Sequence, residues 1–303
     1  MDIVDAHAHV YERLTGFGPR GEARAIGAGM VEWATGERER FLREEDGDTG
    51  FSPERLLRLM DEGGISHAVL LQGSNYGFQN SYIAEAVKKY PTRFTGAGSF
   101  DPFCAAASAI FSHLTEALGF RTLKFEISAR YGLCGYHPSL RIDGEAFEPY
   151  LAKAEERGIT VTVDTGAMGT DSFQIDGLCH VLDRHPHLTL VVAHTLFPSA
   201  TDGKNEERLA LVKKMVRKNL YFDVTLKNLN APIVRDYIRA VMDLVGADHM
   251  LWGTDCPGTF MRKSYSQILS EICDTERFSK EELAALLGGT ARRVYHCYPP
   301  CAQ

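Results

Sequence analysis

The sequence lacks the features that mark membrane, secreted and nucleic-acid-binding proteins. No apolar run approaches the length of a membrane span, and the first residues show neither the charged nor the apolar segment of a signal peptide. The chain has 33 basic and 40 acidic residues, so its net charge of -7 provides no basic stripe for nucleic acid and no polybasic anchor for a membrane. We therefore expect a soluble cytoplasmic protein that binds neither nucleic acid nor membranes.

Cysteine is too sparse to form a disulfide framework. The seven cysteines form no Cys-x-x-Cys pair, and an odd number in a chain of 303 residues does not resemble a set of structural bridges. We expect reduced thiols, most of them buried as small apolar residues. The hydrophobic content of 44% is sufficient for one large core without such bridges.

Short apolar segments alternate with helix-sized segments along the whole chain. Eight strands are predicted, at residues 3–10, 67–73, 94–100, 122–127, 160–165, 188–194, 220–224 and 250–255. Helices are predicted at residues 53–63, 81–90, 105–118, 146–157, 173–184, 207–217, 233–245, 279–287 and 290–295. No change in composition marks a second domain, so we predict that residues 1–303 form a single domain.

This order of elements predicts an α/β fold, a (β/α)8 TIM barrel. The competing fold is a doubly wound open sheet, which normally carries a glycine-rich phosphate fingerprint after its first strand. Here the first strand ends in His-Ala-His-Val-Tyr-Glu, which contains no glycine. Residues 11–50, rich in Gly, Arg and Glu, are predicted to be a long irregular segment that acts as a lid or substrate loop.

Two histidines end the first predicted strand. Side chains alternate between the faces of a strand, so His7 and His9 point to the same side while Ala8 points away. Two neutral imidazoles side by side are a natural beginning of a divalent-metal site. The alternative is a pair of surface histidines at the end of a strand.

The carboxyl ends of all barrel strands meet at one mouth, so polar residues at those ends converge although they are far apart in sequence. The sequence places ten such residues there: His7, His9, Gln72, Asp101, Lys124, Glu126, Asp164, His194, Asp223 and Asp255.

Three short segments that contain strand-end residues carry a family resemblance. They are Asp5-Ala-His-Ala-His9 in the first strand, Ala193-His194 after the sixth and Gly253-Thr-Asp255-Cys-Pro257 at the eighth. In this order they resemble the amidohydrolase superfamily. More narrowly, they resemble its amidohydrolase-related branch, which contains lactonases such as 2-pyrone-4,6-dicarboxylate lactonase and decarboxylases such as aminocarboxymuconate-semialdehyde decarboxylase.

The resemblance implies one divalent metal ion, zinc or manganese, held by His7, His9 and Asp255 with Asp164 as a further ligand. Asp164 is a departure, because similar metal-dependent enzymes usually have a histidine at the end of the fifth strand. Lactonases of this branch are thought to work without a metal, so that alternative stays open. Lys124 stands where binuclear members have a carboxylated lysine, and the other interpretation is a lysine that binds a substrate carboxylate.

The resemblance also implies roles in catalysis. Asp255 takes a proton from the attacking water, and His194 polarises the substrate carbonyl or transfers a proton. Substrate contacts are expected from Lys124, Arg130 and Tyr76. Arg20 and Arg24, in the segment after the first strand, are further candidates for binding a substrate acid; Asp101, Glu126 and Asp223 are expected to be structural.

The sequence therefore predicts a metal-dependent hydrolase that opens a small cyclic ester or a related bond in a small, carboxylated molecule. The alternatives are a metal-free lactonase, a non-oxidative decarboxylase of an unsaturated or aromatic acid, and a non-catalytic barrel that binds a small molecule. The expected partner is the small-molecule substrate, and a homo-oligomer of this chain stays open.

Overall fold

Eight parallel strands form the inner wall of the protein. The computed structural model describes residues 2–226, 228–273 and 277–297. The strands in chain order are β1 (Val4–Ala8), β2 (Thr15–Gly18), β3 (Gly21–Gly27), β4 (Met30–Trp33), β5 (Arg38–Arg40), β6 (His67–Leu70), β7 (Phe94–Gly96), β8 (Thr122–Glu126), β9 (Thr160–Asp164), β10 (Leu190–Val192), β11 (Leu220–Val224) and β12 (Met250–Trp252). β1 and β6 to β12 are the eight predicted strands, so the predicted strand order is confirmed.

Backbone hydrogen bonds join these eight strands in a ring. One sheet has the order β1-β6-β7 and the other β12-β11-β10-β9-β8. A parallel bridge between Gly98 and Leu123 connects β7 to β8, and a second between Ala8 and Cys256 connects β12 to β1. At the second junction the His9 N–H donates to the Cys256 carbonyl at 2.8 Å. The fold is a (β/α)8 barrel, as predicted.

Helices follow the strands and cover the outside of the barrel. They are α1 (Pro53–Gly63), α2 (Asn80–Lys89), α3 (Ala107–Ser112), α4 (Glu148–Glu156), α5 (Ile175–Arg184), α6 (Asn205–Met215), α7 (Pro232–Val245), α8 (Tyr265–Cys273), α9 (Lys280–Ala284) and α10 (Thr290–Val294). The described helices are too short or too polar to cross a bilayer.

Local sequence signals explain where these helices begin. The Ser52 hydroxyl accepts the Arg55 N–H at 3.1 Å before α1, and α9 begins with a capping box between Ser279 and Glu282. The sequence analysis missed α8. Its buried residues Tyr265 and Ile268 have helical spacing with a third, Ile272, and that spacing was the available signal.

The prediction that residues 11–50 are irregular is wrong. The segment forms a four-stranded antiparallel sheet, β2-β3-β4-β5, which we call the insertion sheet. In β3, Ala23 and Ala25 are buried while Glu22, Arg24 and Ile26 are exposed, the alternation expected of a half-buried strand. Glycine and charged residues between these short strands obscured that period in the sequence.

The amino-terminal end of the barrel is closed. Strand side chains such as Val4, Val69 and Leu251 fill the interior together with Val294 and Tyr295 after the last strand. A ligand can therefore reach the interior only from the carboxyl ends of the strands. The cysteines at positions 104, 134, 179, 256 and 297 are free, as predicted, and Cys301 lies outside the described residues.

Candidate active site at the mouth of the barrel

A cavity of about 500 Å3 opens at the carboxyl ends of the strands. Its inner wall carries three imidazoles and three carboxyl groups, and its outer wall carries aromatic rings, two arginines and Glu39, which pairs with Arg20. The lining includes His7, His9, Glu39, Arg40, Phe41, Tyr76, Glu126, Arg130, Tyr131, Asp164, His194, Phe197, Thr225 and Asp255.

His7 is oriented by a carboxylate two strands away in the barrel wall. Its Nδ1 lies 2.8 Å from Oδ2 of Asp223, at the end of β11. Burial lowers the pKa of His7 to about 4 despite this acid, so the ring is neutral. The neutral ring donates Nδ1–H to Asp223 and keeps the Nε2 lone pair free. Gly253 permits this packing, because a Cβ there would lie 2.6 Å from the Cβ of His7.

His9 contacts the acid at the end of β12. Its Nδ1 lies 3.0 Å from the Leu71 carbonyl oxygen, which can only accept, so Nδ1 carries a proton. Its Nε2 lies 3.1 Å from Oδ1 of Asp255. Burial alone would raise the pKa of Asp255, but the bond to His9 and the nearby His7 and His194 lower it overall. Asp255 is therefore an ionised carboxylate at neutral pH.

His194 is held between a carbonyl and a carboxylate. Its Nδ1 lies 2.8 Å from the Thr225 carbonyl oxygen, and its Nε2 lies 3.1 Å from Oδ2 of Asp164. Burial alone would lower the pKa of His194, but Asp164 and then Asp223 raise it to about 10. In the metal-free protein the ring is thus an imidazolium that donates from both nitrogens.

Both His194 and Asp255 stand on left-handed backbone. His194 begins a run with φ of 59°, 45°, 60° and 54° that ends at Phe197, and φ of Asp255 is 58°. Residues other than glycine pay about 1–2 kcal/mol in this conformation. Such backbone persists only where surrounding contacts impose it, and it is concentrated at functional sites.

In the described part of the chain, two groups of His, Cys, Asp or Glu side chains have ligand atoms within 4.8 Å of one another: His7 with His9 and Asp255, and His7 with His194 and Asp223. Asp223 already accepts the Nδ1–H of His7 and the backbone N–H of His194. The first group fits a divalent ion better. Its imidazoles commit Nδ1–H to outside acceptors, so Nε2 is the ring atom that each offers to an ion beside the ionised Asp255.

The proposed fourth ligand, Asp164, lies in a second cluster. It pairs with Glu126 across strands β8 and β9, so the two carboxyl groups project side by side. Burial and the charge of Asp164 raise the pKa of Glu126, and Asp164 keeps its charge because His194 faces it. The Asp164 Oδ1 accepts the Gly166 N–H at 2.8 Å, leaving Oδ2 toward the site.

The predicted substrate residues occupy different depths. Tyr76 and Arg130 line the cavity, and the Tyr76 ring centroid lies 4.9 Å from that of His9. Lys124 is 1% exposed and lies below the described lining, with Nζ 3.9 Å from Oε2 of Glu126. Arg20 pairs with Glu37 and Glu39, and Arg24 with Glu32, so acids of the insertion sheet already face these two cations.

The remaining predicted mouth residues have structural partners. Gln72 donates to the Asn80 side chain and the Ala97 carbonyl, and Asp101 lies 2.8 Å from Nε2 of His137. Asp223 orients His7 and the His194 backbone, in agreement with the structural role expected for it.

Sequence reasoning missed the contribution of the insertion sheet. Arg40 and Phe41 line the cavity, and the Phe41 ring packs edge-on to Tyr76 and Tyr131. The Arg40 Nη1 donates to the carbonyl oxygens of Ala28 and Leu42 at 2.8 and 3.2 Å. These neutral contacts fix the guanidinium without compensating its charge. The alternation in β3 was the signal that could have revealed this wall.

Comparisons with known proteins identify the family and the fold. The family model described as Amidohydrolase matches residues 4–297. A zinc-bound amidohydrolase from Burkholderia multivorans has 16% identity and a TM-score of 0.72, with 98% of this chain and 100% of that chain covered. A protein from Acinetobacter baumannii described as a probable 2-pyrone-4,6-dicarboxylic acid hydrolase has 16% identity and a TM-score of 0.69 over the same shares.

Another similar structure has a different reaction in its name. The 5-carboxyvanillate decarboxylase of Sphingomonas paucimobilis has 17% identity and a TM-score of 0.59, with 80% of this chain and 82% of that chain covered. None of the curated proteins compared with this chain matches it. At these identities the structures share the fold, while the family match spans nearly the whole sequence. With its strand-end histidines and Asp255 at the barrel mouth, this chain belongs to the amidohydrolase family.

Proposed function

We propose that this protein is a metal-dependent hydrolase that opens a small cyclic ester, or a related bond, in a carboxylated substrate. The observation that carries the proposal is the orientation of His7 and His9. Each imidazole commits Nδ1–H to an acceptor behind it, and their Nε2 atoms share one group with the ionised Asp255. This arrangement has the donor set of a catalytic zinc or manganese site.

His7, His9 and Asp255 would hold the ion, with Asp164 as the fourth ligand. A bound divalent ion lowers the pKa of coordinated water and polarises a carbonyl group. Asp255 accepts the proton of the attacking water, because its carboxylate is ionised and faces the cavity. If Asp164 served as a ligand, the Nε2–H of His194 that its Oδ2 accepts would be released to donate to the oxygen that gains charge in the transition state.

The outer wall of the cavity supports a carboxylated substrate. Arg40 and Arg130 both line it, and no described carboxylate lies within ion-pair distance of either guanidinium. Phe41, Tyr76 and Tyr131 lie between them and the imidazoles. A small ligand would thus place its acid group near the arginines and its reacting bond near Asp255. Lys124 would act on such a ligand through Glu126, next to which it lies.

The second candidate is a non-oxidative decarboxylase using the same mouth. Its chemistry needs a proton donor for the carbanion, and the carboxyl group of Glu126 supports this reading because its pKa is raised. Hydrolysis needs no such donor at that position. We rank hydrolysis first because the ionised Asp255 beside His9 is the base that water activation requires.

Reaction class can be tested with a panel of small lactones set beside aromatic and muconate-type acids. Lactone opening releases a proton, whereas decarboxylation releases carbon dioxide. We expect proton release, abolished in Asp255→Asn. Carbon dioxide release from a panel member, with no lactone opened, would favour the decarboxylase.

The metal content of the purified protein tests the proposed metal dependence. We expect about one equivalent of zinc or manganese per chain by elemental analysis of protein purified without chelator, as for single-metal catalytic sites. Less than about a tenth of an equivalent, together with activity that added metal does not change, would instead favour the metal-free lactonase mechanism.

A further inference from the structure

The left-handed turn that begins at His194 is held from outside the cavity. The Thr195 carbonyl oxygen accepts the Tyr237 hydroxyl at 3.2 Å, and the Leu196 carbonyl oxygen accepts the Nε–H of Arg208 at 3.2 Å. Tyr237 lies on α7 and Arg208 on α6, so two helices of the outer layer bind consecutive peptide groups of one turn. Neither side chain belongs to the described lining of the cavity.

Arg208 is itself fixed by a second contact. Its guanidinium is 4% exposed, and Nη1 and Nη2 donate to the two carboxylate oxygens of Asp202 at 3.0 and 2.5 Å. A two-point pair of this kind sets the plane of the guanidinium as well as its position. Because Asp202 lies in the loop that follows the turn, Arg208 links that loop to the Leu196 carbonyl.

The turn needs such support because no residue from His194 to Phe197 is a glycine, and all four have positive φ. Inner contacts hold its first half: the His194 N–H donates to Oδ1 of Asp223 at 2.8 Å, and the Thr195 hydroxyl donates to the Asp223 carbonyl. The carbonyl groups of the next peptides have partners only in the helical layer among the described residues. If the hydrogen bonds from the helical layer were lost, the backbone of the turn would return to the favoured right-handed region. That change would displace the His194 ring.

We infer that Arg208 and Tyr237 are positioning residues of the active site, which keep the turn left-handed and thereby hold the His194 imidazole between Thr225 and Asp164. Both act through the backbone carbonyls of Thr195 and Leu196. A purely structural role would change the stability of the protein and leave the His194 ring where it is. The kinetic part of the test rests on the proposed function of His194, whereas the spectroscopic part does not.

The spectroscopic test uses chelator-treated protein labelled with 15N-histidine. The His194 Nδ1–H is buried and bound to the Thr225 carbonyl at 2.8 Å, so its signal should be protected from exchange and absent in His194→Asn. We expect Tyr237→Phe and Arg208→Met to shift or remove this signal. The Nδ1–H of His9, bound to the Leu71 carbonyl, is the internal reference and should not change.

Arg217→Met is the matched control. Arg217 follows α6 and pairs with Asp183 at 2.7 Å on the surface, without a contact to the turn, so the His194 signal should stay unchanged. Arg208→Lys keeps the charge and should restore part of the signal. An unchanged His194 signal in folded Tyr237→Phe and Arg208→Met would overturn the inference. If Arg208→Met does not fold, Tyr237→Phe decides alone, because it removes only a hydroxyl group.

The kinetic test separates placement from binding. A displacement of a catalytic group by about 1 Å can cost on the order of a hundredfold in rate. We expect kcat to fall by about tenfold in Tyr237→Phe and by up to about a hundredfold in Arg208→Met, with KM changed less than about twofold. A changed His194 signal with unchanged kcat would support the positioning role and contradict the catalytic role proposed for His194.

Discussion

The two ends of the barrel combine histidine with acids in different ways. At the mouth, His7 and His9 use Nδ1 to contact an acceptor behind them, and Nε2 faces the cavity. At the opposite end, His185 lies between two glutamates, with Nδ1 3.0 Å from Oε2 of Glu155 and Nε2 3.3 Å from Oε1 of Glu148. Both of its ring nitrogens are therefore occupied.

This difference shows what distinguishes a candidate ligand from a structural histidine. Both clusters contain buried imidazoles near carboxylates, so residue type and burial do not separate them. The arrangement around the acid does, because Asp255 forms one possible ion-binding group with two imidazoles, His7 and His9, whereas Glu148 and Glu155 both contact the imidazole of His185. Among the described residues such a group occurs at the mouth, and His185 belongs to none.

The largest effect should come from the acid that faces those lone pairs. Asp255→Asn keeps the shape of the side chain and removes its ability to accept a proton. A positioned general base contributes about a hundred- to ten-thousandfold, so turnover should fall by at least that range. Steady-state kinetics measure the loss, and circular dichroism tests whether the fold survives.

The control for this variant lies at the other end of the barrel. Glu148→Gln also removes a charge beside a histidine, and its activity should stay within about twofold of the original, as expected for a surface position far from the chemistry. Retention of more than about a tenth of the activity by Asp255→Asn would mean that Asp255 only orients its neighbours.

The second effect concerns the pH dependence of stability in metal-free protein. The pKa of His194 is about 10 in the folded state and 6.5 in the reference state, so the folded protein binds the extra proton between these values. The contribution of this proton to the free energy of unfolding is fully present below pH 6.5 and is lost as pH rises through 10. Each pKa unit corresponds to about 1.4 kcal/mol, so the loss should reach a few kcal/mol.

Denaturant unfolding of the original protein and of His194→Asn between pH 6 and pH 10 would measure this loss, which should be absent in the variant. Glu155 gives the opposite sign: burial would raise its pKa, but the His187 and His185 contacts lower it overall. That contribution is present above 4.5 and is lost as pH falls. Glu155→Gln should lower stability above pH 4.5, show a smaller loss on acidification and keep the slope of the alkaline limb; identical alkaline slopes in His194→Asn and the original would refute the His194 assignment.

The third effect tests the role of the acceptor behind His7. Asp223→Asn removes the charge that holds the Nδ1–H, and loss of such a partner typically weakens metal binding by about 10- to 100-fold. Competition with a chelator of known affinity would measure the change. Glu155→Gln removes the corresponding partner of His185 and should leave metal affinity unchanged. Equal affinity in Asp223→Asn and the original protein would show that His7 is not a ligand.

The sequence predicted the barrel because each of its eight strands is a short apolar segment followed by a helix-sized one. It also placed His7, His9, His194 and Asp255 at strand ends, which the topology brings to one mouth. The insertion sheet escaped prediction because its strands are short and half-exposed, and charged residues fill their outer face.

Other parts of the site have no local signal. Asp223 orients His7 from 216 residues away, and nothing near either residue specifies which ring nitrogen it meets. The positive φ values of His194 and Phe197 arise at residues that ordinarily avoid them, so they reflect contacts from distant helices. Arg40 faces the cavity only because β5 is the last strand of a sheet that the sequence did not reveal.

The smallest effect should come from the arginines at the rim of the mouth. Their partners differ from those of an arginine at the closed end. Arg184, at the closed end, contacts Glu148, whereas Arg40 and Arg130 are oriented by neutral groups: carbonyl oxygens for Arg40 and the Tyr131 ring, 4.9 Å away, for Arg130. A hydrogen bond to a charged group contributes about 1.5–3 kcal/mol. Both arginines lie at the rim and are exposed, so we expect the low end of that range. Arg40→Met or Arg130→Met should therefore raise KM for a carboxylated substrate by about tenfold and change kcat little.

Arg184→Met should change neither KM nor kcat, and an uncharged ester of the same substrate should respond little to any of the three substitutions. Equal KM increases for the acid and its ester would show that the arginines shape the cavity without binding the carboxylate.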